Sequence, residues 1–240
     1  MQKSNKNHTF TKNQLLKFTK TQFIMKNSTP DKIIYIIRHG ETEYNRLGLV
    51  QGCGIDSDLN EVGRQQAELF FQKHGHTKFD KIYTSMLKRT HQSVKDFLDL
   101  EIKWEKLVGL NEVSWGDKEG RPVTKEENDA YFEMLKGWRN GELHLKVPKG
   151  ESPLEVAERQ REALEVILSR PQEKQVLVCM HGRAMRILLC QLLRQPISLM
   201  DDFEHSNLGL YVLHYRYDTH SFELKLTNDK SHLEEMNVSK

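Results

Sequence analysis

Cysteine is scarce: Cys53, Cys179 and Cys190 are the three in 240 residues, too few and too scattered for a disulfide framework or a zinc site. Cys179 lies in an apolar run and Cys190 in a helical pattern, so both read as small buried hydrophobes, and a reducing cytoplasm is the simplest compartment. Long apolar runs are missing too. No stretch approaches the roughly 20 residues that cross a bilayer, and none resembles the core of a secretory signal. Acidic residues are absent from residues 1–30, which hold six lysines and no arginine. The rest of the chain therefore carries 30 basic against 34 acidic residues, so the overall charge of +2 conceals a mildly acidic body. That balance argues against nucleic acid as a partner. The basic segment reads as a disordered extension without a catalytic role, and Met25 fits an alternative start. Glu41, Glu43, Glu112, Glu151, His39 and His181 are potential ligands, but no His-x-His or Glu-x-x-His pair groups them, so no metal and no cofactor is expected.

What is present is an α/β rhythm. Ile33–Ile37 and Val176–Met180 are short unbroken apolar runs rich in β-branched residues, the pattern of strands buried on both faces. Asp80–Thr84 reads as a third strand, and Leu210–Tyr215 with Phe222–Leu226 as a closing hairpin. Ala67, Phe70 and Phe71 share a face of a helix starting near Asn60. Leu87, Val94 and Leu98 share a face of the next. Ser152-Pro153-Leu154-Glu155 combines an N-cap serine, a proline at the first helical position and the glutamate of a capping box. Ala184, Ile187, Leu188 and Leu192 mark a helix after the second apolar strand. The expectation is a three-layer α/β/α sandwich around a mostly parallel sheet, over residues 31–228. The polar stretch 117–150, with one helix near 126–136, reads as a short lid, and 229–240 as a polar tail.

Two histidines occupy equivalent places. His39 follows the first buried strand in Arg38-His39-Gly40, and His181 follows the other in His181-Gly182-Arg183. In an open parallel sheet ligands bind beyond the carboxyl ends of the strands, so neighbouring strands bring both imidazoles to one crevice. A lone histidine is more often structural, but two at matched strand ends reverse that expectation. Arg38 adjoins His39, and Arg89 follows the third strand within one turn. Arginine offers a planar fork of donors matched to phosphate oxygens, so an anion site is the better reading than separate surface ion pairs.

With these residues the chain resembles the histidine phosphatase superfamily, also called phosphoglycerate mutase-like. Arg38-His39-Gly40-Glu41-Thr42 with Asn45 resembles the opening motif. Gln51-Gly52, Asp58-Leu59-Asn60, Gly63 and Gln66-Ala67 follow it, and Ser85-Met86-Leu87-Lys88-Arg89 is similar to the second arginine segment. Leu110-Asn111-Glu112 with Gly116 and Glu119-Gly120, then Gly150-Glu151-Ser152, and finally His181-Gly182 complete an ordered series. Two departures bear on substrate fit: Cys53-Gly54-Ile55 after Gln51-Gly52, and the charges Lys118 and Arg121 around Glu119-Gly120, where an aromatic often precedes the glutamate.

The resemblance implies a metal-independent phosphatase acting on a small phosphorylated metabolite through a phosphohistidine on His39. Arg38, Arg89 and His181 would surround the phosphoryl group, with Asn45, Gln51, Gly52 and Gly182 as further phosphate or substrate contacts. Glu112 would be the general acid and base, a role that calls for a raised pKa. A cofactor-dependent phosphoglycerate mutase and a non-catalytic phosphate-binding module are the alternatives. The lid looks short for a mutase, and the catalytic residues are all present, which favours the phosphatase. Lys118, Arg121, Lys125, Trp138 and Arg139 are candidates for contacts beyond the phosphate. No membrane or nucleic-acid partner is expected, and the chain would act as a monomer or homodimer in the cytoplasm.

Overall fold

A computed structural model describes residues 30–122, 124–234 and 236. The expected basic extension lies almost wholly outside the described residues.

Six strands form one sheet: β1 (Lys32–Arg38), β2 (Lys81–Thr84), β3 (Trp104–Lys106), β4 (Gln175–Met180), β5 (Leu210–Arg216) and β6 (Ser221–Asp229). Their spatial order is β3-β2-β4-β1-β5-β6. The first four are parallel to one another, β5 runs antiparallel to β1, and β6 closes the sheet as the far strand of a hairpin. The alternation of the strands sorts the core into two layers. Ile34, Ile36, Val176, Val178 and Met180 face one side; Ile37, Leu177 and Cys179 face the other.

Helices α6 (Pro153–Leu168) and α7 (Gly182–Leu192) cover the first face, together with residues of the lid helix α5 (Lys125–Arg139). Helix α2 (Glu61–His74) and the short helices α3 (Lys88–Ser93) and α4 (Lys95–Leu98) cover the second. A still shorter helix, α1 (Glu43–Arg46), follows β1. The three-layer sandwich expected from the sequence is the fold observed.

The start signals act as read. Asn60 accepts from the Gly63 N–H at the head of α2. At α6, Ser152 Oγ accepts from Glu155 N and the Glu155 carboxylate accepts from Ser152 N. Such reciprocal caps contribute about 1 kcal/mol each.

Two expectations need correction, and one strand was not foreseen. The helix expected through Leu87, Val94 and Leu98 is broken at Val94, where the backbone leaves the helical range (φ −120°, ψ 13°). Ser93 Oγ, one residue earlier, donates back to Arg89 O at 2.6 Å and accepts from Gly40 N at 2.9 Å. Hydroxyl back-bonding of this kind bends helices, and here it ties the bend to the loop after β1. Strand β3 escaped notice because it has three residues and two of them are exposed. The domain does not stop at 228: β6 reaches Asp229, and a turn at Ser231–Leu233 buries His232 and Leu233 beside α2.

Candidate active site

Strands β1 and β4 are hydrogen-bonded neighbours with Arg38 opposite Met180, so His39 and His181 leave the sheet side by side. Their ring centroids lie 5.1 Å apart. The chain after His39 must turn tightly under the N-terminus of α2. A side chain at Gly40 would meet Gly63 O at 2.6 Å, and one at Gly63 would overlap Glu41 O, so the two glycines let these segments touch.

His39 is 3% exposed. Its Nδ1 lies 2.7 Å from Gly40 O. A carbonyl only accepts, so Nδ1 carries the proton and the lone pair of a neutral ring sits on Nε2. Burial, with Arg89 and Arg38 adding their charge, holds this imidazole well below the usual histidine range. The ring is therefore neutral at pH 7.

His181 is fully buried and held at both nitrogens. Arg89 Nε donates to its Nδ1 at 3.2 Å, which leaves the proton on Nε2, 2.8 Å from Ser85 Oγ. The chain of donors continues from Ser85 to Thr90 Oγ1 at 3.0 Å and from Thr90 to Leu87 O at 2.7 Å. Burial and the nearby Arg89 push this imidazole well down too.

Arg89 is fully buried at the start of α3. Its remaining nitrogens donate to Ile55 O at 2.6 Å and Gly52 O at 3.1 Å. Arg38 donates from Nη1 to His205 O at 2.9 Å, while its buried Nε meets no acceptor among the described residues. The two guanidinium groups thus flank the histidine pair, and their charge favours an anion there.

Glu112 is 7% exposed and lies across the N-terminus of α7. Oε1 accepts from Val113 N and Ala184 N, both at 2.9 Å, and Oε2 from Arg183 N at 3.2 Å. Its loop is clamped from behind by Arg159 of α6. That guanidinium donates to the carbonyls of Gly109, Asn111 and Glu112, each at 3.0 Å, and to both oxygens of Glu151, at 2.8 and 3.1 Å. Glu119 is a second inward carboxylate. It accepts from Trp115 N and Gly54 N at 2.8 Å, and burial raises its pKa.

The other expected contacts divide. Asn45 caps α1 through the Thr42 backbone, accepts from Asn207, and lines an open pocket of about 460 Å³ together with Arg38. Gln51 is spent on Thr42 Oγ1 and Ser57 Oγ, and Gly52 offers its carbonyl to Arg89, so both shape the loop behind the site. Gly182 opens α7 where a methyl group would press on the His205 ring at 3.0 Å. Of the lid candidates Lys118 lines the pocket. Trp138 is instead buried in the core with its indole N–H on Leu145 O, Arg121 and Arg139 pair with Glu127 and Asp202, and Lys125 points to solvent.

Sequence reading missed Ser85 and Thr90 as His181's support, Arg159 as the clamp, and Asn207, which donates to His39 O at 2.9 Å. Leu208, just after Asn207, is buried with φ at 53°, a left-handed conformation that nothing in a Ser-Asn-Leu-Gly stretch announces.

Among the described residues no helix is long and apolar enough to cross a membrane. The phosphoserine phosphatase 1 of Hydrogenobacter thermophilus is 29% identical over 185 residues, 75% of this chain and 85% of that protein. A probable phosphoglycerate mutase GpmB of Yersinia enterocolitica is 35% identical over 167 residues, covering 68% and 75%. Among solved structures, a putative alpha-ribazole-5'-P phosphatase from Escherichia coli superposes with a TM-score of 0.74 at 22% identity, over 83% of this chain and 97% of that one. A mycobacterial glucosyl-3-phosphoglycerate phosphatase gives 0.73 at 26% identity, over 83% and 100%. A family model of the histidine phosphatase superfamily (branch 1) matches residues 34–230, and the chain belongs to that superfamily.

Proposed function

We propose that this chain is a phosphatase of small phosphomonoesters that works through a phosphohistidine on His39. The observation that carries the reading is the state of that ring: buried, neutral, with Nδ1–H fixed on Gly40 O so that Nε2 is the nucleophilic atom. Arg38 and Arg89 hold the phosphoryl oxygens and offset the charge that spreads over them in the transition state. His181 steers the Arg89 fork from the adjacent strand end.

In the first step Nε2 attacks phosphorus, the ester P–O bond breaks, and Glu112 gives its proton to the departing alkoxide. In the second step Glu112 takes a proton from water, the water oxygen bonds to phosphorus, and the N–P bond breaks to free phosphate and neutral His39. The guanidinium groups supply the positive charge, so the reaction asks for no metal. The open pocket beside Arg38 and Asn45, and the short lid over it, leave water access to the intermediate, which favours hydrolysis over return of the phosphoryl group.

The test is phosphate release from a panel of small phosphomonoesters in EDTA, wild type against His39→Ala. Release by the wild type that vanishes in the variant, together with loss of an acid-labile phosphoenzyme, is expected. Equal release by both proteins would refute the role of His39. The likeness to a probable phosphoglycerate mutase gives the second reading its weight. Isomerisation of 3-phosphoglycerate without release, with a bisphosphoglycerate primer present, would decide for it.

A further inference from the structure

The pocket beside the histidine pair has two walls of different character. Arg38 ends β1 and Asn45 lies in α1; Lys118 and Tyr131 belong to the lid, with Trp115 just ahead of it. A volume of about 460 Å³ suits a small metabolite rather than a phosphate alone.

Lys118 is the unusual member. Its ammonium group donates to Glu127 O at 2.6 Å and stands 5.4 Å from the centre of the Tyr131 ring, which is itself packed edge-on to Trp115 at 5.5 Å. These contacts fix the long side chain in place without neutralising it. Five of the lid's other cations sit on carboxylates, Arg121 on Glu127, Lys136 on Glu133, Lys149 on Asp117, Lys146 on Glu155 and Arg139 on Asp202, while Lys125 is exposed to solvent. Among the described lid residues, Lys118 is thus the pocket-lining cation with no carboxylate within ion-pair distance. The acid that shares the pocket, Glu41, is held at the other wall by Asn60 Nδ2 at 2.8 Å. A preordered cation costs little further entropy when it meets an anion, and ionic hydrogen bonds are the strong ones.

We propose that Lys118 selects phosphomonoesters whose body carries a second acidic group, such as the carboxylate of a phosphorylated hydroxy acid. This rests on the phosphatase reading above. The ester phosphate lies between Arg38 and Arg89 at the histidines, and the carboxylate reaches across the pocket to the Lys118 ammonium group. The aliphatic carbons between them lie along Trp115 and Tyr131.

Matched substrate pairs test it. 3-Phosphoglycerate and glycerol 3-phosphate differ in a carboxylate against a hydroxymethyl group; O-phosphoserine and phosphoethanolamine differ in a carboxylate against hydrogen. The readout is the ratio of kcat/KM within each pair, which cancels any general loss from a poorly folded variant. In the wild type the acid member is expected to lead by at least about tenfold, the worth of one ionic hydrogen bond. Lys118→Met should bring the ratio close to one, through KM for the acid member, and Lys118→Arg should restore most of it. Equal rates within the wild-type pairs, or a preference that survives Lys118→Met, would overturn the selection by Lys118 while phosphate release upheld the phosphatase. No release from any of the four esters would sink both.

Discussion

Arg159 offers the sharpest test of how Glu112 is held. Replacing it by methionine keeps much of the aliphatic packing and removes the guanidinium with its five hydrogen bonds. Three carbonyls of the 109–112 loop lose their donor, and Glu151 keeps a charge without its partner. Breaking a buried ion pair on one side costs about 3–5 kcal/mol. Here the two side chains are 17% and 25% exposed, so water recovers part of that. A loss of about 2–4 kcal/mol is the reasoned figure, or a fall of roughly 1–2 M in the urea midpoint for a slope of about 2 kcal/mol per molar. Catalysis supplies a readout that stability does not. In the proposed mechanism a loop that drifts takes Glu112 from the leaving oxygen, and that matters for alkyl esters far more than for p-nitrophenyl phosphate, whose leaving group needs little protonation. The kcat ratio of p-nitrophenyl phosphate to an alkyl phosphate should therefore rise by about tenfold or more. Arg159→Lys should recover part of the stability and little of the ratio, because an ammonium group cannot reproduce the fork. An unchanged ratio in Arg159→Met would show that the clamp serves only the fold. An unfolding free energy within about 0.5 kcal/mol of wild type would refute the accounting itself.

Two further outcomes are expected. Gly52→Ala would drive a methyl group into Glu119 Oε1 and to within 2.7 Å of Val113 O. It should cost about 1–3 kcal/mol by urea titration and raise KM, since Gly52 O also holds Arg89; a neutral result would mean the loop yields freely. His232 is 6% exposed, neither ring nitrogen has a partner among the described residues, and burial pulls its pKa down to about 4. Its folded value lies below its unfolded one near 6.5, so the unfolded chain takes the proton first and stability falls as pH drops from about 6.5 to 4. Relative to His232→Leu, the wild type should lose about 2 kcal/mol between pH 7 and 4.5; parallel curves would rule out this linkage.

The residues that organise the sheet were legible because their signals are local. Two unbroken apolar runs marked β1 and β4, and Ser152-Pro153-Leu154-Glu155 marked the head of α6 to the residue. The convergence of His39 and His181 followed from strand ends, needing only that β1 and β4 be neighbours, and they are. What escaped depends on contacts between distant segments. Arg159 sits among charged residues on α6 and looks like any solvated helix position, yet its partners lie 47 to 50 residues upstream. The break at Val94 arises from one serine hydroxyl reaching both Arg89 and Gly40. Trp138 resembled a lid contact by position, but an amphipathic helix turns it inward.

The strand order has a consequence for how the chain is made. Strand β4 lies between β1 and β2, although both precede it in sequence. During vectorial synthesis the ribosome must add residues 39–180 after β1 before its parallel edge can be filled, which takes roughly 7–28 seconds at about 5–20 residues per second. Until then two apolar strands wait with bare edges, and such edges are templates for wrong pairing. The strand that fills these two facing edges is also the one that carries His181 to His39. The joining of β1 to β2 through β4 and the meeting of the two histidines are therefore a single late event, and a nascent chain shorter than this holds one histidine of the pair and an aggregation hazard together.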